Sequence, residues 1–201
     1  MSLRRVMGVL LAGAMLSACG GLRSNAEADR TYVLRAEEGA AQATPVAGVL
    51  MVPRPGVQPG LDTDRIALTR EGNELDYFAL SRWSGPLPQV LGAFAVQSMH
   101  GAFTTVTGVG RNAGQAEYEL LLTARHFEAA YGAGGAPEVR VAFECLLVHA
   151  SPRRVLGSCD ADVREPAGEN RMAAIVAAFE RATRQALAEV RRQAAAAART
   201  N

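Results

Sequence analysis

Two runs of alternating side chains flank a proline turn in the last third of the chain, and each run contains one cysteine. Residues 139–150 and 154–163 are typical of strands, and Ser151-Pro152-Arg153 is typical of the turn between them. Cys145 and Cys159 each lie seven residues from Pro152, so an antiparallel hairpin centred there places them opposite each other. Opposed Cα atoms lie about 4.5 to 5.5 Å apart, which is within reach of a disulfide.

The same hairpin predicts which side chains face the core. Phe143 shares a face with Cys145, while Val155 and Ala161 share a face with Cys159. Both sulfur atoms should therefore point inward. We predict a cross-strand disulfide. The alternative is a pair of reduced, buried thiols that pack as small apolar side chains.

The N-terminus has the pattern of a secretory signal peptide. Arg4 and Arg5 precede an uncharged run over residues 6–16, and small residues follow it. A helix needs about 20 apolar residues to cross a bilayer, so this run is too short to serve as a stable transmembrane anchor. Export would also place the two later cysteines in a compartment that permits disulfides.

The signal ends in Leu16-Ser17-Ala18-Cys19, which resembles the bacterial lipobox. Small residues before the cut admit the backbone to a peptidase, and the Cys19 thiolate is the nucleophile that accepts the lipid. We expect cleavage between Ala18 and Cys19, and a covalent lipid on Cys19 with no other cofactor. Two or more acyl chains anchor a protein stably. Gly20, where a retention aspartate would stand, favours the outer membrane, with the domain on its periplasmic side.

The rest of the chain predicts one domain of fold class α+β. Removal of residues 1–18 leaves 201 − 18 = 183 residues, enough for one compact core. Residues 19–30 read as a lipidated tether, 31–193 as the domain, and 194–201 as an alanine-rich tail that frays. One helical pattern begins near Leu87 and ends at Gly101, and a second covers 170–193. With the strand-like runs, this predicts a mixed or antiparallel sheet covered by two main helices.

Charge and motifs exclude several classes of protein. The formal charge of +1 includes Arg4 and Arg5, so the mature chain is near +1 − 2 = −1, which argues against a nucleic-acid partner. The chain contains no lysine, so it has no phosphate-binding loop of the Gly-Lys-Ser/Thr type. It has no Gly-x-Ser-x-Gly elbow, and its three histidines lack metal-ligand spacing. We therefore predict no enzymatic activity and no metal site.

One segment is a candidate for binding a partner. Pro53, Arg54, Pro55 and Gly56 follow a mostly apolar strand, and the two proline rings fix the backbone. A rigid loop presents a fixed shape at a low entropic cost. A plain structural crossover between two strands is the alternative.

The middle of the chain carries a series of short motifs: Pro53-Arg54-Pro55-Gly56, Leu61-Asp62-Thr63-Asp64-Arg65-Ile66-Ala67, Gly72-Asn73-Glu74-Leu75-Asp76-Tyr77, Arg82-Trp83 and Pro86-Leu87. In these motifs the sequence resembles a known family, the auxiliary lipoprotein components of ABC-type transporters, which include the PqiC-like outer-membrane lipoproteins. The resemblance also covers an early strand and a final amphipathic helix, and so nearly all of the mature chain.

The resemblance implies a non-enzymatic periplasmic subunit that works with an ATPase, a permease and a binding protein of the mammalian-cell-entry (MCE) type. Such complexes move phospholipids or other hydrophobic molecules between envelope membranes. In this role the lipid anchor holds the domain at the membrane while its surface docks or tethers the transport conduit. Two alternatives stay open: direct lipid carriage in an apolar groove, and a structural or assembly lipoprotein not linked to transport. The sequence also leaves a homo-oligomer open.

Overall fold

The computed structural model describes residues 28–36, 44–70, 74–110 and 116–200. The predicted signal peptide, the cleavage site at Ala18 and Cys19, most of the tether, and residues 71–73 lie outside the described residues.

Within the described residues there are nine strands and two helices. The strands are β1 (Arg30–Tyr32), β2 (Val46–Met51), β3 (Gly56–Val57), β4 (Arg65–Arg70), β5 (Glu74–Trp83), β6 (Phe103–Thr107), β7 (Tyr118–Ala130), β8 (Glu138–His149) and β9 (Arg154–Pro166). The helices are α1 (Leu87–Met99), between β5 and β6, and α2 (Met172–Thr200), which ends the fold.

The nine strands form one mixed sheet organised around β7. Along one edge of β7, three short strands pair with it in parallel: β2, then β3, then β4. Along the other edge, β8 pairs antiparallel over the whole length of β7, and β9 pairs antiparallel with β8. Strand β6 adds to β2, and β5 followed by β1 adds to β4. The prediction of a single α+β domain with a mixed sheet and two main helices is confirmed.

The core contains an aromatic cluster beneath α2. Trp83 is 1% exposed at the end of β5. Its ring makes edge contacts with Phe127 of β7, at a centroid distance of 5.9 Å, and with Phe179 of α2, at 5.3 Å. Such edge-to-face pairs add specific geometry to the burial of large apolar surfaces. The cluster joins the sheet to the final helix.

The cysteine hairpin lies in the β8–β9 ladder. Cys145 pairs with Cys159 in the register, their Cα atoms are 5.0 Å apart, and the two side chains form a disulfide. Both cysteines are buried on the core side. The prediction that Val155 shares their face is wrong, because this side chain is 56% exposed. The ladder shifts register between Leu147 and Val148, so β9 contains one extra residue there and the alternation reverses before Cys159.

The alanine-rich tail does not fray, and that prediction is wrong. Helix α2 continues to Thr200, and Ala194 and Ala195 are each 1% exposed. The packing is close because Gly157 of β9 has no side chain: a Cβ placed there would lie 3.0 Å from the Cβ of Ala197. The domain therefore ends near residue 200 rather than 193. It begins by Arg30, which already pairs with Ser81 of β5.

A candidate docking groove at the proline loop

The proline loop is held at both ends by the sheet. Just beyond β2, the Val52 amide donates a hydrogen bond to the Thr107 carbonyl at 2.8 Å. Gly56 begins β3 and pairs with Thr123 of β7. Between these points Pro55 is buried against α1, where a Cβ on Gly92 would lie 3.3 Å from the proline Cδ. The loop is therefore clamped in one conformation.

An apolar groove of about 540 Å³ opens beside this loop. Val52, Pro53 and Arg54 form one wall, and Gly108 and Val109, which follow β6, form another. Helix α1 forms the third wall through side chains that are mostly small or apolar: Pro88, Gln89, Gly92, Ala93 and Val96. Val109, on the rim, is 74% exposed. A concave site of this size with a mostly apolar lining is typical of a binding surface.

The charged rim connects the groove to the N-terminal end of the domain. The Arg54 guanidinium lies 3.9 Å from an Asp62 carboxylate oxygen, and both side chains are more than half exposed. An exposed pair at that distance contributes little stability, so Arg54 can change partners at small cost. Two residues along the same turn, Asp64 accepts a hydrogen bond from Arg82 at 3.2 Å, and Arg82 also pairs with Asp29. The turn over 62–64 therefore contacts the groove rim through Asp62 and Arg82 through Asp64, and Arg82 links it to Asp29.

The structure separates the residues singled out in the sequence. Pro53 and Arg54 line the groove, whereas Pro55 supports it from below and Gly56 is part of β3. Cys145 and Cys159 lie in β8 and β9, across β7 from the groove. The wall formed by α1 was not predicted from the sequence. Its only signal is the small pair Gly92-Ala93 within an apolar helix, which lets the loop approach closely.

Neither a metal cluster nor a membrane-spanning helix is present in the described part of the chain. There, no group of three or more His, Cys, Asp or Glu side chains is arranged to hold a metal ion. No helix in those same ranges is long and apolar enough to cross a membrane.

Several proteins of known structure share this fold. The chain is similar to protein XCC0632 from Xanthomonas campestris, with 25% identity and a TM-score of 0.76 over 85% of this chain and 97% of that chain. An uncharacterized protein of known structure shares 16% identity at a TM-score of 0.66, over 83% and 99% of the two chains. CT253 from Chlamydia trachomatis shares the fold at 7% identity and a TM-score of 0.53, over 78% and 100%.

Among curated proteins, no match to this sequence was found. The family model for the ABC-type transport auxiliary lipoprotein component matches residues 32–191. This range includes most of α2 and all of the strands, apart from the first two residues of β1. The chain therefore belongs to the ABC-type transport auxiliary lipoprotein component family.

Proposed function

We propose that this protein is a lipid-anchored docking subunit of an ABC transporter with an MCE-type binding protein. It is cut after Ala18, acylated on Cys19 and held on the periplasmic side of a membrane, the outer membrane being favoured by Gly20. Its transporter moves phospholipids or other hydrophobic molecules between the envelope membranes. Family membership supports the transport role, and the lipobox-like sequence supports the anchor.

The observation that carries the docking role is the preformed groove beside the proline loop. Its loop is fixed by a hydrogen bond at one end, by a strand pairing at the other, and by Pro55 against Gly92 between them. A surface that is already ordered loses little conformational entropy when a partner binds. The apolar lining and the exchangeable Arg54 suit a partner segment that combines an apolar stripe with a carboxylate.

Site-specific photocrosslinking in cells tests this role. A photoreactive residue replaces Val109 on the groove rim, and in a matched control it replaces Val155, an exposed valine on β9. We expect Val109 to crosslink to an MCE-domain protein or to the permease, identified by mass spectrometry, and Val155 to give no such product. A groove probe that captures only proteins outside any transport complex would favour the structural or assembly role instead.

The anchor is tested separately. Cys19→Ala should leave the domain folded, because Cys19 precedes β1 in the sequence, yet abolish membrane association and transport. Fluorescence of Trp83, which is buried in the aromatic cluster, checks the fold. Full complementation of a deletion strain by this variant would contradict the anchoring role.

Direct lipid carriage is the second candidate, and the apolar lining of the groove favours it. Phospholipid that copurifies with the protein, and that is lost when Val96 is replaced by aspartate, would support carriage. Phospholipid retained equally by the variant would place that lipid outside the groove. The order of neighbouring genes is the cheapest further test, since an adjacent ATPase, permease and MCE gene would support a transport role.

A further inference from the structure

Strand β5 contains an unusual bulge that turns a leucine toward solvent. On one side of it Ala67 pairs with Tyr77, and on the other Arg65 pairs with Arg82, so residues 78–81 stand opposite a single residue of β4. Within the bulge Leu80 has φ = +52° and is 43% exposed. Glycine, asparagine and aspartate adopt this left-handed conformation most readily, and a leucine there is strained. The left-handed backbone disfavours leucine, so the presence of leucine at this position needs another explanation.

The bulge lies where the chain joins the domain. Ser81, the next residue, pairs with Arg30 at the start of β1. Asp29 forms an ion pair with Arg82, one residue further along β5. A second apolar side chain, Val33, follows β1 directly and is 56% exposed. Leu80 is thus within two residues of a strand pairing that fixes the start of the fold.

The length of chain before this point limits its distance from a membrane. Ala28, the first described residue, is nine residue steps beyond Cys19, and a fully extended chain of that length spans at most about 30 Å. This step rests on the proposed lipidation of Cys19. An acyl anchor at that cysteine keeps the end of the domain that contains Leu80 close to the lipid headgroups.

We propose that the β5 bulge is a membrane-contact site, at which Leu80 enters the interfacial region of the bilayer beside the lipid anchor and fixes the orientation of the domain. An apolar side chain at the interface adds to the affinity that acyl chains provide. The Arg82 guanidinium is already paired with Asp29 and Asp64. The contact is therefore assigned to the apolar side chain and not to the charge of Arg82.

Depth-dependent fluorescence quenching in vesicles tests the proposal with the full lipidated chain. Because Cys145 and Cys159 are bonded to each other and Cys19 is acylated, a new cysteine is the one free thiol for a polarity-sensitive dye. The dye is placed at Leu80→Cys, at Val33→Cys, and at the control Leu146→Cys. Leu146 lies on β8, three strands from β5, and is 42% exposed. The vesicles contain phosphatidylethanolamine, phosphatidylglycerol and a nitroxide-labelled lipid as the quencher.

We expect dye at positions 80 and 33 to be quenched at least about twofold more than dye at 146, with little change when phosphatidylglycerol is omitted. Equal quenching at all three positions, with the protein floating with the vesicles, would overturn the membrane-contact site and leave the anchor intact. Failure to float would refute the anchor, and this inference with it.

A second variant separates contact from folding. Leu80→Asn can adopt the same left-handed backbone, so Trp83 fluorescence and flotation should match those of the parent. Quenching of dye at Val33 should fall toward the value at Leu146, because the apolar contact that orients the domain is gone. Unchanged quenching at Val33 in this variant would show that Leu80 does not orient the domain. If the bulge binds a partner protein instead, dye at positions 80 and 33 of the otherwise unchanged chain should be quenched no more than dye at 146, and the membrane-contact site would be wrong.

Discussion

Reduction of the Cys145–Cys159 disulfide should destabilise the domain by an amount that the loop length sets. The bond links residues 14 apart and so closes a loop of 15 residues. In the chain-entropy description, closing such a loop removes about 3 kcal/mol of conformational freedom from the unfolded chain. A domain of this size has a total stability of about 5 to 15 kcal/mol, so the bond is a substantial part of it.

The native ladder gives a reason to expect the full effect. Cys145 and Cys159 are already opposed in the pairing of β8 with β9, so the backbone pairing can persist when the bond breaks and only the two sulfur atoms need to move apart. Both cysteines are buried, and reduction removes no heavy atom from the core. Chemical reduction is therefore a cleaner perturbation than substitution, which would also create a cavity.

The assay is urea unfolding followed by the fluorescence of Trp83, the only tryptophan in the chain. With a urea dependence of about 2 kcal/mol per molar, reductant should lower the midpoint by roughly 1.5 M. A variant with both cysteines replaced by alanine controls for other effects of the reductant and should not respond to it. A midpoint that stays unchanged in reductant, with loss of the bond verified by mass, would refute the loop-entropy reasoning.

Three further changes test other parts of the fold by the same urea assay. Ending the chain after Gln193 removes three buried alanines of α2 and should cost about 2 kcal/mol, whereas a fraying tail would cost nothing. Leu80→Gly relieves the left-handed strain, and glycine also gives the unfolded chain more conformational freedom, which offsets part of the gain. The net effect should be a rise in the free energy of unfolding of about 0.5 kcal/mol. A loss of stability would show that the Leu80 side chain packs in the folded domain. Asp162→Asn should cost less than about 1 kcal/mol at neutral pH, since the pair with Arg140 is partly exposed. The hydrogen bond from Arg140 holds the pKa of Asp162 below its ordinary 3.8, so this difference should vanish as pH falls through the lowered value. A difference that persists in acid would contradict that assignment.

The parts of the fold that sequence reasoning recovers are those determined by neighbouring residues. The β8–β9 hairpin follows from two alternating runs around Pro152, and the two helices follow from their apolar periodicity. The exposure of Val155 could not be predicted from the alternation of side chains, because one extra residue in β9 reverses that alternation and no residue type indicates it. The alanine tail shows another limit. Its residues have good helix propensity, but their burial depends on Gly157, which is distant in sequence and leaves room for Ala197.

The pairing of β7 with three short strands is beyond this kind of reasoning. Strands β2, β3 and β4 each contact β7 through only two paired positions, and the partners are between 61 and 68 residues apart. Local patterns do not encode which of several apolar strands will meet across such separations. The groove depends on the same contacts, so the sequence identified one of its walls, at Pro53 and Arg54, and missed the other two.

The interruption between β2 and β3 explains why the groove forms at the proline loop. Met51 pairs with Glu119 and Gly56 pairs with Thr123, so the five residue steps from β2 to β3 lie beside only four steps of β7. Pro53 and Pro55 lack backbone N–H groups and cannot continue the ladder. The segment with the extra residue therefore bends away from the sheet as the proline loop. Pro55 then packs on α1 while its neighbours stand away from the sheet and form the groove wall. The residues that interrupt the sheet are thus the residues that create the candidate docking surface, and a variant that restores a regular strand there should lose the groove while keeping the core.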